Sequence, residues 1–383
     1  MKKSSGVKKV TYFWVSMLLC LSGNPLLCIN PHVREIYAVA AVMLLVYRLF
    51  SNGSNPNVFL KYIIPFVLIS ICQIFVLGVD PTSALFLIMK LYIGFAILQI
   101  VGHSFLRSYV DVMYVLALIS LPLFAYNTYF GLLPGYPFSE IGTSLGIYTQ
   151  LAHGGYAFID RNAGMFWEPG AFQGYLNIAL AFLFLLSDVK HKKLKAIVII
   201  AAVLTTKSST GYLVLGLLLL YYTVLTSKQS ILKKTVIVVS MLVIYIYAYT
   251  SLDFLQEKMV NETSKDISQG GRINDYARYG SLILSNFFIG ISASVADIAP
   301  SGNGFVSFLL YYGIFGVSYY FIAMYYKFSR QVNHRTVVLL LLLVFLTLQG
   351  EGFIYYPLYL VFPLIQLEVS EQYRIHAQKG TLA

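Results

Sequence analysis

Long apolar runs follow one another along the chain with few polar interruptions, and each is as long as a membrane crossing. A helix needs about 20 apolar residues to cross ~30 Å of hydrocarbon. The runs are continuous rather than alternating, which excludes barrel strands and leaves helices as the way to satisfy the backbone in lipid. The pattern predicts spans at 12–29, 33–50, 58–77, 81–101, 109–130, 170–187, 194–206, 211–226 and 235–250, and three more at 303–326, 336–349 and 352–367. The expected fold is therefore an all-α polytopic membrane protein of about twelve transmembrane helices. No repeat and no separate soluble domain interrupts 1–383, so the chain reads as a single integral membrane domain.

Composition agrees: 58% of the 383 residues are hydrophobic and 11% are charged, against roughly 25% charged in soluble domains. The net charge of +11 changes the picture only through where the charges lie. Segments assigned to the cytoplasmic side, with the helix ends that flank them, hold 19 Lys/Arg against 4 Asp/Glu, and the external ones hold 7 against 12. Only Lys90 stands in mid-helix, positioned either to pair with a carboxylate inside the bundle or to snorkel to an interface. This is the basic cytoplasmic face of a membrane protein, with both termini cytoplasmic, and not a nucleic-acid footprint. Counting 279–295 as a span would put Lys327, Arg330 and Arg335 outside, so that stretch is expected to lie partly helical on the external surface. Lys2, Lys3, Lys8 and Lys9 before the first run resemble a signal peptide, but no small-residue cleavage site follows, and the run is expected to remain as a helix. Cys20, Cys28 and Cys72 lie within apolar segments and suggest no disulfide, metal or redox role.

Two external loops are long, at 131–169 and 251–302, and loops of this length in a compact protein are functional or disordered. In the first, Arg161 opens Arg161-Asn162-Ala163-Gly164-Met165-Phe166-Trp167-Glu168-Pro169-Gly170, directly before a span. Gln173 and Asn177 follow at i, i+4 and share a helix face. Arg161, Glu168, Gln173 and Asn177 would line a polar track descending into the bundle, or Arg161 would anchor at headgroup phosphates beside Asp160 or Glu168. In the second loop Arg272, Asp275 and Arg278 fall at helical spacing. They form either a surface network or a phosphate site, because a guanidinium fork binds phosphate in bidentate fashion. His153 is either a candidate base or a solvated loop side chain. There is no Walker loop, HExxH or Asp-x-Asp, so neither a metal nor a cofactor is expected, and a donor already attached to lipid fits better than a metal-bound nucleotide sugar.

These stretches carry a family resemblance. Residues 161–170 resemble the Arg-x-x-Gly-x-Phe-x-Glu-Pro pattern of O-antigen and exopolysaccharide polymerases of the Wzy/O-antigen ligase superfamily. Gly271-Arg272 with Ile289-Gly290 resembles its later Gly-Arg block, 303–316 its Asn-led helix, and 205–212 its Ser-Arg-Thr turn. The match runs from Arg161 to Gly316, and the N-terminal third matches in hydropathy alone. It implies a fold like the class C glycosyltransferases in a bacterial inner membrane. The implied metal-independent enzyme moves a growing glycan from undecaprenyl pyrophosphate onto a lipid-linked repeat unit, for lipopolysaccharide, capsule or exopolysaccharide. Arg161 and Arg272 would hold the pyrophosphate, and Glu168 would orient Arg161 or accept a proton. Arg278, Lys207, Asn303, Gln173, Asn177 and His153 would contact substrate, and a chain-length regulator is a possible partner. Two departures count: Gly302 stands where the family has a His before Asn303, and Ser209 stands at the turn's arginine position, with Lys207 two residues earlier. The missing histidine favours polymerase over ligase and leaves the base open. The rival reading is a lipid-linked oligosaccharide flippase or other carrier, whose usual repeat-related halves and midplane charges are not evident here.

Overall fold

A computed structural model of the chain describes residues 3–50, 56–131, 133–139, 142–151, 160–226, 230–236, 238–240, 243, 274–292 and 301–367. The described chain is mostly helical. The helices are α1 (Lys3–Gly23), the short α2 (Pro25–Cys28), α3 (Val33–Phe50), α4 (Pro56–Leu77), α5 (Pro81–Val101), α6 (Phe105–Phe130) and α7 (Pro169–Leu185). They continue with α8 (Lys192–Thr205), α9 (Ser209–Tyr221), α10 (Asn274–Ser285), α11 (Gly304–Ser329), α12 (His334–Gly350) and the single turn α13 (Pro357–Leu360). Among the described residues three stretches are long and apolar enough to cross a membrane: Asn57–Leu77, Pro81–Phe130 and Gly304–Ser329. The second would be about 75 Å long as one helix. It is instead divided at Gly102, whose φ of +57° ends α5 before α6 begins, and both halves pack on α1.

Burial explains the arrangement. Every residue of α7 from Pro169 to Leu183 is buried, as expected of a helix that is apolar apart from one narrow face. It is the axis of the bundle, with α6, α8, α9 and α12 around it. At Gly174 a Cβ would collide with the Phe353 ring, so the glycine is what lets the C-terminal segment approach. On the other side α1, α3 and α4 pack about α5, and α4 also meets α11. Lys90 lies over the Phe86 ring, 4.1 Å from its centroid, on the same helix.

Four expectations are corrected. The chain is not purely helical: the first long loop holds a three-stranded antiparallel sheet of β1 (Tyr136–Ser139), β2 (Gly142–Ser144) and β3 (Thr149–Leu151) in sequential order. Second, the run 352–367 is no continuous helix. It crosses the core as a 3-10 turn at Phe353–Tyr355, then α13 opened by Pro357, then a 3-10 turn at Phe362–Leu364 that holds Pro363, and each proline lacks the amide that would tie it to the preceding turn. Irregular backbone at this depth must find partners within the protein. Tyr62 donates to the Leu360 carbonyl (2.6 Å) and Tyr320 to that of Tyr359 (2.7 Å), while the Leu358 and Leu367 amides donate to Ser22 (3.1 Å) and Gln331 (2.8 Å).

Third, α11 is broken at Gly313 (φ 60°, ψ −173°). The backbone groups freed by the break are taken up by residues 286–291. Ile314 and Phe315 amides donate to the Phe287 and Phe288 carbonyls (2.8 and 3.2 Å), and the Ile291 amide donates to Leu310 O (2.8 Å). Gln73 Nε2 on α4 bridges the Ile289 and Tyr311 carbonyls at 2.6 and 2.7 Å. Fourth, the described part of 279–295, residues 279–292, does not all stay at the end of the bundle where α11 starts. After α10 it descends to Gly313, nine residues along α11, or about 14 Å at 1.5 Å per residue. Of the predicted span 235–250, residues 235–236, 238–240 and 243 are helical, and the rest lies outside the described residues.

Candidate functional site at one end of the bundle

The starts of α7, α9 and α11 and the ends of α8 and α12 meet at one end, and the loop before α7 is stitched across them. Three consecutive residues of that loop bond three consecutive residues at the end of α8, Thr205, Thr206 and Lys207. Asp160 pairs with Lys207 (2.5 Å), Arg161 Nε donates to Thr206 O (3.0 Å), and the Asn162 amide donates to Thr205 O (3.0 Å). The guanidinium therefore sits at the carbonyl end of α8, where the helix dipole favours a cation. Lys207 is held in the left-handed region, φ 47°. The Asn162 side chain reaches Ser120 and Thr205 (3.0 Å each) and accepts from the Gly164 amide (2.9 Å). Gly164 has φ +55°, and a Cβ there would lie 2.8 Å from the Phe172 ring, so both conformation and space demand glycine. The sheet is fastened to the same loop: the Thr149 amide donates to Gly164 O (2.6 Å), and Asn24 Nδ2 to Gly146 O (2.5 Å).

Glu168 is the N-cap residue of α7, and its Oε1 accepts from Trp167 Nε1 (3.1 Å). Trp167 in turn packs on Tyr356, with ring centroids 4.6 Å apart. Gln173 and Asn177 share one face as expected, joined by a 3.0 Å bond, and Asn177 also donates to Gly211 O at the start of α9 (3.2 Å). Both are fully buried. They form the track without Arg161, which turns to α8 instead.

Sequence reasoning missed the carboxylate that this end encloses. Glu351, directly after α12, is only 4% exposed. Its carboxylate occupies the space over Gly170 where a side chain would begin, and its backbone carbonyl fills the equivalent space at Gly304. Gly350, beside it, lies against Thr210, 3.1 Å from where its own Cβ would be. One acidic residue between two glycines reads as a short external turn; the two partner glycines, Gly170 and Gly304, were the available signal.

The remaining candidates are divided. Asn303 caps α11, accepting from Phe305 and Val306 amides (3.0 and 3.1 Å), and its Nδ2 donates to Gln349 (2.9 Å). Tyr276 donates to the same Gln349 oxygen (2.7 Å), which brings α10 over the mouth. Asp275 is buried and accepts from Ser301 Oγ (2.5 Å) and the Asn303 amide (3.4 Å), so it serves the cap of α11. Arg278 is exposed, its guanidinium carbon 5.3 Å from the Tyr279 ring centroid. Arg272 and His153 lie outside the described residues. Among the described residues no group of three or more His, Cys, Asp or Glu side chains stands together. One end of the bundle thus gathers the Arg161 guanidinium and the Asp160–Lys207 ion pair with the carboxylates of Glu168 and Glu351, a cation able to meet an anion and carboxylates able to accept a proton. No protein-family model matches the chain, and no curated protein matches it.

Proposed function

We propose that the chain is a multi-pass enzyme of a bacterial inner membrane that polymerises undecaprenyl-pyrophosphate-linked repeat units at the external face. The proposal takes about twelve crossings and cytoplasmic termini from the hydropathy and charge pattern. The observation that carries it is the stitched loop 160–170, which holds Arg161 and Glu168 at the same end of the bundle as the buried Glu351. In the reaction, an acceptor hydroxyl oxygen forms a bond to the donor's anomeric carbon, and the glycosyl–phosphate bond breaks. The pyrophosphate leaves with the bonding electrons and meets arginine, and the hydroxyl proton passes to a carboxylate, Glu168 or Glu351. Fixed cations act here by stabilising charge that develops in the transition state.

A carrier of the same lipid-linked glycan is the second reading, favoured by the broken α11, since discontinuous helices mark many transporters. The deciding assay incubates purified protein with lipid-linked repeat units of its own host and resolves product length on a gel. Wild type should give a ladder that Arg161→Ala, Arg272→Ala and Glu351→Gln each reduce while folding persists. A folded wild type that makes no ladder but moves the substrate across vesicles establishes the carrier. A ladder untouched by all three substitutions keeps the activity and removes this site.

A further inference from the structure

The opposite end of the bundle holds a two-chambered cavity that no part of the glycan chemistry uses. Its polar chamber, about 440 Å³, lies where α1 and α6 meet the turn after α7. Arg107, Lys190 and Lys195 line it, with the hydroxyls of Thr11, Ser104 and Ser108. Its apolar chamber, about 530 Å³, runs along the outside of α1 and α6 against Val112, Tyr114, Val115 and Leu116. The two adjoin, and three residues border both, Tyr12, Asp111 and Lys195. Each volume is many times the ~30 Å³ of one water in the liquid, so neither is a niche for a single bridging water.

Where the chambers adjoin, the charges are paired. Lys195 is ion-paired with Asp111 Oδ1, and Tyr12 donates to Asp111 Oδ2 (2.8 Å), so both carboxylate oxygens are engaged. The pair is largely enclosed, with side chains 13% and 23% exposed. Asp188 also lines the polar chamber, but what it gives Arg107 is its main-chain carbonyl, 3.0 Å from Nη2. That bond uses one of five guanidinium donors and fixes the fork at the chamber's edge. Arg107, Lys190 and Lys195 against Asp111 and Asp188 leave the polar chamber one positive charge in excess, beside a chamber that is hydrocarbon-lined.

We propose that this cavity is a binding site for an anionic phospholipid, its phosphodiester between Arg107 and Lys190 and one acyl chain in the apolar chamber along α1 and α6. The charge complementarity selects an anionic over a zwitterionic headgroup, because basic pockets between helices hold acidic lipid heads and a guanidinium fork matches phosphate. An apolar chamber adjoining the polar one selects an amphiphile over a free phosphate. The site stands at the basic end, remote from Arg161 and Glu351, and does not depend on the proposed glycan reaction.

Native mass spectrometry of the detergent-purified full chain, with phosphatidylglycerol or phosphatidylcholine added at equal concentration, tests it. Wild type should retain phosphatidylglycerol about fivefold better, as the about 1 kcal/mol of one excess basic group near a headgroup gives. The double variant Arg107→Gln, Lys190→Gln should lose that preference. Val112→Trp, which fills the apolar chamber, should lower retention of both lipids. Inorganic phosphate should not compete. Helical circular dichroism and melting confirm that each variant is folded. Equal retention of the two lipids by wild type, a preference that survives in the folded double variant, or displacement by inorganic phosphate overturns the proposal.

Discussion

Replacing Gly313 with alanine should be among the most damaging single-methyl changes in the chain. The residue has φ 60° and ψ −173°, a region open essentially to glycine alone, and forcing another residue into it costs about 1–3 kcal/mol. The added methyl would also meet only backbone, including the Ile289 nitrogen at 2.6 Å, so no side chain can swing aside. Overpacking of this kind costs about 1–3 kcal/mol more. The expected loss is therefore about 2–6 kcal/mol, the sum of those two ranges. Expelling residues 286–291 would relieve the clash, but it would strand the Ile314, Phe315 and Ile291 amide bonds, each worth about 0.5–1.5 kcal/mol. The matched control is Gly216→Ala in α9, where a Cβ meets nothing within 4 Å. There the substitution should stabilise by about 0.5–1 kcal/mol. Thermal unfolding in detergent reads both changes, and hydrogen exchange reads the Ile314 and Phe315 amides. A Gly313→Ala protein that melts with wild type and keeps those two amides protected would falsify this account of the break.

Gly170→Ala places a methyl in the space of the Glu351 carboxylate, a side chain that can turn away; the fold should survive while glycan extension falls about tenfold, or about 1.4 kcal/mol, and an unchanged initial rate detaches Glu351 from the chemistry. Tyr320→Phe removes the side-chain donor to the buried Tyr359 carbonyl, which keeps only the Val361 amide, and should cost about 0.5–1.5 kcal/mol in the melt, whereas Tyr129→Phe, 81% exposed, should stay within about 0.5 kcal/mol. Asp80 caps α5, and hydrogen bonds from the Thr82 hydroxyl and amide hold its carboxyl below the usual range. Its contribution is whole above the ordinary carboxylate pKa and is lost as pH falls through the lowered folded value, so the acid side of the wild-type melting profile should flatten in Asp80→Asn, and superimposable profiles count against it.

How far the sequence could be read depended on whether a signal was local. α3 and α5 have the ends their apolar runs predict, because Pro81 and the left-handed Gly102 mark α5 and polar residues frame α3. The loop before α7 was legible for the same reason: Gly164 and Pro169 each constrain the backbone where they stand. The break in α11 was not, since an isolated glycine among aromatics looks like ordinary helix packing until residues 286–291 arrive from elsewhere in the chain. The C-terminal run was misread despite a local signal, as its two prolines outweigh its length. Glu351 is the sharpest case. Its burial follows from Gly170 and Gly304, 181 and 47 positions away in the chain, and no window of sequence contains all three.

The irregular backbone bears on the choice between enzyme and carrier. Alternating access needs the interrupted segments to move against their neighbours. Here the break in α11 and the crossing at 352–367 are held by side chains from across the bundle: Gln73, Tyr62, Tyr320, Ser22 and Gln331. Buried groups without a hydrogen-bond partner among the described residues include Gln173 Nε2 and Asn177 Oδ1 on the polar face of α7, and within the crossing the Tyr359 hydroxyl. A fixed scaffold beside an unsaturated polar track suits chemistry at a static site better than a rocking carrier. A crosslink separates the two. Phe288 and Phe315 are joined by a 3.2 Å main-chain bond, their rings are 5.3 Å apart, and both are exposed. Bonded neighbours of this kind lie within the about 4.4–6.8 Å Cα separation that a disulfide bridges. In a background with Cys72→Ser, the pair Phe288→Cys, Phe315→Cys should oxidise and leave ladder formation within about twofold, a change of about 0.4 kcal/mol in barrier. If oxidation stops turnover and reduction restores it, the break in α11 moves during each cycle, and the static-scaffold argument fails.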